Sequence, residues 1–329
     1  MTRLPQACTS PLADGIAQFI AHKRVLGRRY ETEVYALRLF DRYLVAQRIM
    51  KLNAITPAVI EAFVATRQRV RPRSYNHLLG VLRRLFHWLV ARGYLSQTPV
   101  VCPTRRASVA RIPFILPPES ARRLLDLAAG LPEVPGVALR GPTYRAIFAL
   151  LYGLGLRVSE VCRLDVADVD QSRKLLVIRD TKFGKDRLVP FGPRLGAMLE
   201  HYLILRRARD RHLASDAPLL GGLAGGRLQR QQIGKIFRGL LPALGLTVSP
   251  GTSPPRLHDL RHSFAVRTLL RWYRAGIDPA RRLLHLSTFL GHVQPESTAV
   301  YLTITSDLLA EAGHRFEVFA RPLVVQVRR

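Results

Sequence analysis

Tyr301 stands nine residues after His292 in Leu290-Gly291-His292...Tyr301. Upstream lie Arg157, Lys182 and the pair His258 and Arg261 of Leu257-His258-Asp259-Leu260-Arg261-His262. These six residues supply a phenol, two guanidiniums, an ammonium and two imidazoles. A phenol becomes a nucleophile when its proton leaves, and fixed cations and donors around it neutralise charge that gathers on a phosphorus centre. The set therefore suits attack on a phosphodiester without a metal ion. Metal-dependent nucleases and transposases need clustered carboxylates instead, and the 23 acidic residues form no Asp/Glu triad of evident spacing.

Taken singly, each residue also has a plainer reading. Arg157 follows an apolar, buried-looking segment, and Glu160 one helical turn later can pair with it. His258 and Arg261, three apart on a helix, share a face and can address one anion. Lys182 opens a hairpin turn, where an isolated lysine is simply solvated, and Lys185 is its neighbour and rival. His292 alone reads as a satisfied core histidine, with His285 as its rival. Tyr301, flanked by Val300 and Leu302, alone reads as a buried aromatic. His262 reads as a packing or helix-surface residue and is left outside the site.

The chain has 329 residues, 48% of them hydrophobic, which is enough for two or three folded domains. Its formal net charge is +28, and 45 of the 51 basic residues are arginines. Arginine presents a planar fork that grips phosphate in a bidentate way, so nucleic acid is the natural partner. A GC-rich genome and a cationic surface for anionic membranes are the competing explanations. Cys8, Cys102 and Cys162 are odd in number and widely spaced, as reduced thiols of a cytosolic protein would be. No stretch approaches the roughly 18 apolar residues that span a bilayer, and no signal-peptide core is visible.

Helical spacing over residues 11–47, broken near Gly27, predicts two helices. A third follows Thr56-Pro57, and a fourth runs from Ser74 to Ala91 and stops at Gly93. These make a small helical domain over residues 1–103. Its Arg67, Arg69, Arg71, Arg73, Arg83 and Arg84 could track a DNA backbone, unless they form only a solvated basic face. The proline-rich stretch Pro99 to Pro118, with Arg105, Arg106 and Arg111, predicts an extended linker, assigned to residues 104–116, that crosses DNA. Residues 117–329 form the second domain. Helical pattern resumes at Glu119 and again from Tyr144 to Leu156. It then gives way to a hairpin, Lys174–Arg179 and Arg187–Phe191, and helices dominate again from Leu195. The expected fold is mainly α with a small β-hairpin. Gly221–Gly226 lacks phosphate-loop spacing and reads as a turn.

At these residues the chain resembles the tyrosine recombinases, the phage-integrase and Xer-like family. The matching elements are Gly155-Leu156-Arg157-Val158-Ser159-Glu160, Thr181-Lys182-Phe183-Gly184-Lys185-Asp186-Arg187-Leu188-Val189-Pro190, His258-Asp259-Leu260-Arg261-His262, Leu290-Gly291-His292 and Tyr301. The resemblance implies a helical core-binding domain, an α+β catalytic domain and a C-terminal docking tail. It also implies DNA cleavage and rejoining through a 3′-phosphotyrosyl intermediate. Arg157 and Arg261 then clamp the scissile phosphate, Lys182 is the general acid, His258 assists proton transfer, and His292 donates to the phosphate. No metal or other cofactor is implied. The implied partners are double-stranded DNA, three further copies of the chain on paired sites (monomer or weak dimer when free) and accessory recombination proteins. No membrane is involved, and the expected location is cytoplasmic, at the nucleoid. The alternatives are a type IB-like topoisomerase, which reseals the same strand, and a DNA-binding regulator without catalysis.

Overall fold

The computed structural model describes residues 8–28, 30–67, 69, 71–106, 112–136, 139–179, 186–210, 212–222, 225–292, 294–303, 309–311 and 313–314. The chain divides into two compact units, Met1–Ala110 and Arg111–Arg329.

The first unit is built from α1 (Ala13–Val25), α2 (Glu31–Ala46), α3 (Pro57–Ala65) and α4 (Pro72–Ala91). Both α3 and α4 begin with proline, whose missing N–H is not needed in a first turn and whose φ already suits a helix. For this reason α4 starts two residues earlier than the apolar spacing alone predicts. Its Tyr75, Leu78, Leu79, Leu82, Leu85, Phe86 and Leu89 recur at three- and four-residue steps and are all buried. Phe19, Phe40, Phe63 and Phe86, one from each helix, are sealed from solvent, with the Phe40 and Phe63 rings 4.9 Å apart. A buried carboxylate, Asp41, accepts the N–H groups of Thr9 and Ser10 and so fixes the approach to α1.

The second unit centres on α6 (Arg140–Gly153), which is buried almost all round. It packs against α5 (Pro118–Ala129), with α8 (Pro193–Arg209) and α10 (Asp259–Arg274) around it. An antiparallel sheet lies in the order β1 (Val169–Asp170), β2 (Leu175–Ile178), β3 (Arg187–Pro190), with Leu176 opposite Val189. The two expected strands are present, slightly shorter than predicted. The two-residue β1 is too short to show a period of its own. The remaining helices are α7 (Val158–Val161), α9 (Arg230–Leu244), α11 (Pro279–Leu290) and α12 (Glu296–Ala299). Gly221–Gly226 closes a turn through the Gly222 N–H and the Gly226 carbonyl. Residues 112–116 lie in this unit, with Phe114 and Leu116 in its core and the Leu116 N–H donating to Ser263 Oγ at 2.8 Å.

The helix predicted to run through Leu156 ends at Gly153 instead. Gly155 adopts a left-handed φ of +61°, and a Cβ there would stand 2.6 Å from the Phe264 ring. The sharp turn frees Arg157 to start the short α7. Two segments with expected roles, 180–185 around Lys182 and 315–329 of the tail, lie outside the described residues.

At Gly141 a Cβ would meet the Ala129 carbonyl oxygen at 2.2 Å, so glycine is what allows α6 to approach the end of α5. Gly141→Ala is expected to destabilise the second unit by about 1–3 kcal/mol through overpacking. An unchanged denaturation midpoint would show that the two helices are free to part.

Candidate active site

A single buried carboxylate organises the first wall. Glu160 is 3% exposed and accepts the Arg157 backbone N–H at 2.8 Å, Arg157 Nη1 at 2.8 Å, and both terminal nitrogens of Arg187 at 2.9 Å. Burial alone would raise its pKa. The hydrogen bonds and charge of Arg187, with those of Arg157, instead hold it down to about 2. Arg187, at the start of β3, also donates to the Phe289 carbonyl at 3.0 Å.

The second wall is the end of α11. Gly291 closes that helix at a left-handed φ of +67°, and a Cβ there would lie 2.9 Å from the Arg187 guanidinium. Arg157 Nη2 donates to the Gly291 carbonyl and Arg261 Nη2 to the Leu290 carbonyl, each at 2.7 Å. Arg261 Nη1 reaches the Gly155 carbonyl, also at 2.7 Å. Both guanidiniums thus sit at the negative end of a helix dipole, where cations are favoured. Arg261 is 1% exposed, and burial together with the charge of Arg157 lowers its pKa to about 10, so it stays protonated at neutral pH.

Tyr301 lies on the short 3-10 turn Val300–Thr303 that follows α12 and is 3% exposed. Its hydroxyl is 2.9 Å from His262 Nδ1. Its ring stacks near that of His292, with centroids 6.4 Å apart at 19°. Thr298, fully buried on α12, holds His292 Nδ1 at 2.6 Å. The His258 ring stands edge-on to His262 at 4.7 Å. Desolvation is the main reason that all three imidazoles are pushed down to about 4, and nearby arginine charge adds to it. They are neutral at pH 7. Burial raises the Tyr301 phenol above its ordinary range, and the charges of Arg261 and Arg157 oppose that rise.

Arg157, His258, Arg261, His292 and Tyr301 therefore come together, while Lys182 falls outside the described residues. His285, the rival of His292, is exposed on α11. Two residues of this cluster escaped the sequence reading. His262, read there as a packing or helix-surface residue, is the hydrogen-bond partner of the Tyr301 hydroxyl. Its spacing of four from His258, which places both on one helical face, was the available signal. Arg187 was visible only as part of the hairpin, because its partners lie far off in sequence.

In the first unit, the Arg67 guanidinium lies over the Phe63 ring and Arg105 lies over Tyr75, at 5.4 and 4.0 Å. Asn76 ties the Arg105 backbone to α4 through two hydrogen bonds, and Arg105 Nη1 donates to the Arg69 carbonyl. Arg83 donates to the Cys102 carbonyl and Arg84 to the Tyr30 hydroxyl. Arg71, Arg73 and Arg106 are exposed. Cys8, Cys102 and Cys162 are free thiols. Among the described residues no helix is long and apolar enough to cross a membrane.

Residues 117–307 match the model of the phage integrase family, and residues 31–93 match that of the phage integrase N-terminal SAM-like domain. The chain belongs to the phage integrase family. It is 35% identical over 311 residues to the integrase/recombinase y4rB of Sinorhizobium fredii, covering 94% of this chain and 98% of that protein. It is 31% identical over 278 residues to the tyrosine recombinase XerC of Myxococcus xanthus, covering 83% and 85%. Its fold is similar to that of the Tn1549 transposon integrase in complex with a circular-intermediate DNA. The TM-score is 0.63 at 16% identity, covering 94% of this chain and 100% of that one. The chain is a tyrosine-type recombinase, a DNA strand-transferring enzyme with a mainly helical fold and a small sheet.

The buried imidazoles set an acid limit on its stability. Between pH 6.5 and 4 the unfolded chain binds protons on His258, His262 and His292 that the folded site refuses, so stability falls as pH falls through that window. Glu160, depressed from 4.5 to about 2, adds a second loss in that lower range. The urea midpoint of the second unit is expected to drop between about pH 7 and pH 4, and a flat midpoint would contradict the burial of these rings.

Proposed function

We propose that this enzyme cuts and rejoins duplex DNA by two successive transesterifications, with Tyr301 as the nucleophile. One observation supports the reading: the Tyr301 hydroxyl is enclosed beside Arg261 and Arg157, in a pocket where Arg157 and Arg187 share one carboxylate, Glu160, and Arg261 is met by backbone carbonyls. Such an excess of buried positive charge suits an anion that arrives from outside.

The phenolic oxygen attacks phosphorus and the bond to the 5′ oxygen breaks, leaving a 3′-phosphotyrosyl link and a free 5′ hydroxyl. A 5′ hydroxyl from a partner strand then attacks that link and releases Tyr301. Bond energy is conserved, so no nucleotide cofactor enters. Arg157 and Arg261 take the non-bridging oxygens, using donors that their carbonyl partners leave over. His292 donates to the phosphate, His258 assists proton transfer, and Lys182 protonates the departing 5′ oxygen.

Residues 1–103 serve as the core-binding domain, with Arg67, Arg69, Arg71, Arg73, Arg83 and Arg84 along the backbone. The segment that begins at residue 104, with Arg105 and Arg106, crosses the DNA before the chain enters the second unit, and residues 117–329 carry the catalysis and a docking tail. Four copies on paired sites, free monomers or weak dimers, and accessory proteins complete the reading. The enzyme acts at the nucleoid, on a mobile element; the similarity to an integrase/recombinase supports the second of these.

Tyr301→Phe is expected to bind DNA normally yet form no covalent adduct on a nicked suicide duplex; an adduct that survives the change removes the nucleophile. DNA affinity should also fall steeply with salt, since each phosphate contact releases counterions. A salt-insensitive affinity would mean that the arginines serve another purpose.

A further inference from the structure

We infer that His262 is the catalytic base that takes the proton of the Tyr301 hydroxyl as its oxygen attacks phosphorus. The inference rests on Tyr301 being the nucleophile. His262 Nδ1 stands 2.9 Å from that hydroxyl. The neighbouring Arg261 guanidinium has donors only and cannot receive a proton from the phenol. For Nδ1 to receive the phenolic proton, the imidazole carries its own hydrogen on Nε2. That nitrogen faces Asp259 Oδ1 at 3.9 Å, and the Asp259 carboxylate is held in place by Arg256 Nη2 at 2.9 Å. Imidazole and carboxylate thus share one turn of α10, with the phenol of the 3-10 turn against the imidazole.

His258, to which the resemblance assigns proton transfer, stands edge-on to the His262 ring. The charged and titratable groups facing His262 are His258, Asp259 and Arg261 from α10 and its cap, Arg256 from the preceding segment, and Tyr301 from the 3-10 turn, with His292 behind the phenol. Burial, with the charges of Arg256 and Arg261, keeps the ring neutral before the step and so able to receive a proton.

The step balances. The O–H bond breaks with its proton going to Nδ1, the oxygen pair forms the bond to phosphorus, and the bond to the 5′ oxygen breaks. The leaving oxygen is protonated by the general acid. On rejoining, His262 returns the proton to Tyr301.

His262→Asn keeps a polar atom near the hydroxyl but cannot accept its proton. On a suicide duplex its single-turnover adduct formation at neutral pH should fall by about 100-fold or more, the usual contribution of a general base. DNA affinity and melting temperature should stay close to those of the parent. The residual rate of the variant should climb with pH as hydroxide replaces the base, and added imidazole should restore adduct formation to His262→Ala. Adduct formation at the parent rate with the parent pH profile would overturn the inference. So would an equal loss at every pH without imidazole rescue, because that marks a positioning residue only. If His262→Asn fails to fold, imidazole rescue of His262→Ala decides the question by itself. Failure of the nucleophile assignment is separable, since it is read from Tyr301→Phe with His262 intact.

Discussion

Arg261 is 1% exposed, and a charge so far from water must be met by polar groups or it works against folding. The carbonyls of Gly155 and Leu290 meet it, and those two atoms are presented only because the chain turns sharply at Gly155 and α11 ends at Gly291. Arg157 depends on the same helix end through the Gly291 carbonyl. Arg187 fastens β3 to the preceding residues and to Glu160. The turn at Gly155, β3 and the end of α11 are thus joined by three guanidiniums, two of them paired with Glu160 and the third held by carbonyls.

The chemistry of the nucleophile is a consequence of this arrangement. In so cationic and dry a pocket His258, His262 and His292 lose their charge, which lets them exchange protons instead of adding to the repulsion. The same dryness raises the Tyr301 phenol, so it rests protonated. A phosphodiester entering the pocket adds the negative charge that the arginines lack. Resting stability and reactivity are therefore set by opposite sides of one electrostatic balance.

Much of this was legible in the sequence because the reactive residues sit in short segments with local signatures: an arginine after an apolar helix, a histidine and arginine one turn apart, and a tyrosine at fixed distance from Leu-Gly-His. The helices of the first unit were legible from proline starts and apolar periodicity. The end of α6 was misplaced because apolar residues continue through Leu156 and the glycine turn shows no break in composition. His262 was passed over because a lone histidine beside an arginine carries no signal of what lies across from it; its partner is 39 residues away. Arg187 was hidden for the same reason, with its carboxylate 27 residues and its carbonyl 102 residues distant. Long-range pairs of this kind are produced by the fold, and local patterns do not encode them.

The central claim is that the pocket's unmatched positive charge delivers a DNA phosphate to one phenol. The direct measurement is to trap the enzyme on DNA, digest the adduct with nuclease and protease, and locate the modified side chain by mass spectrometry. The account predicts a nucleotide joined through its 3′ phosphate to the peptide containing Tyr301. A nucleotide on any other residue, or one attached through its 5′ phosphate, would contradict it.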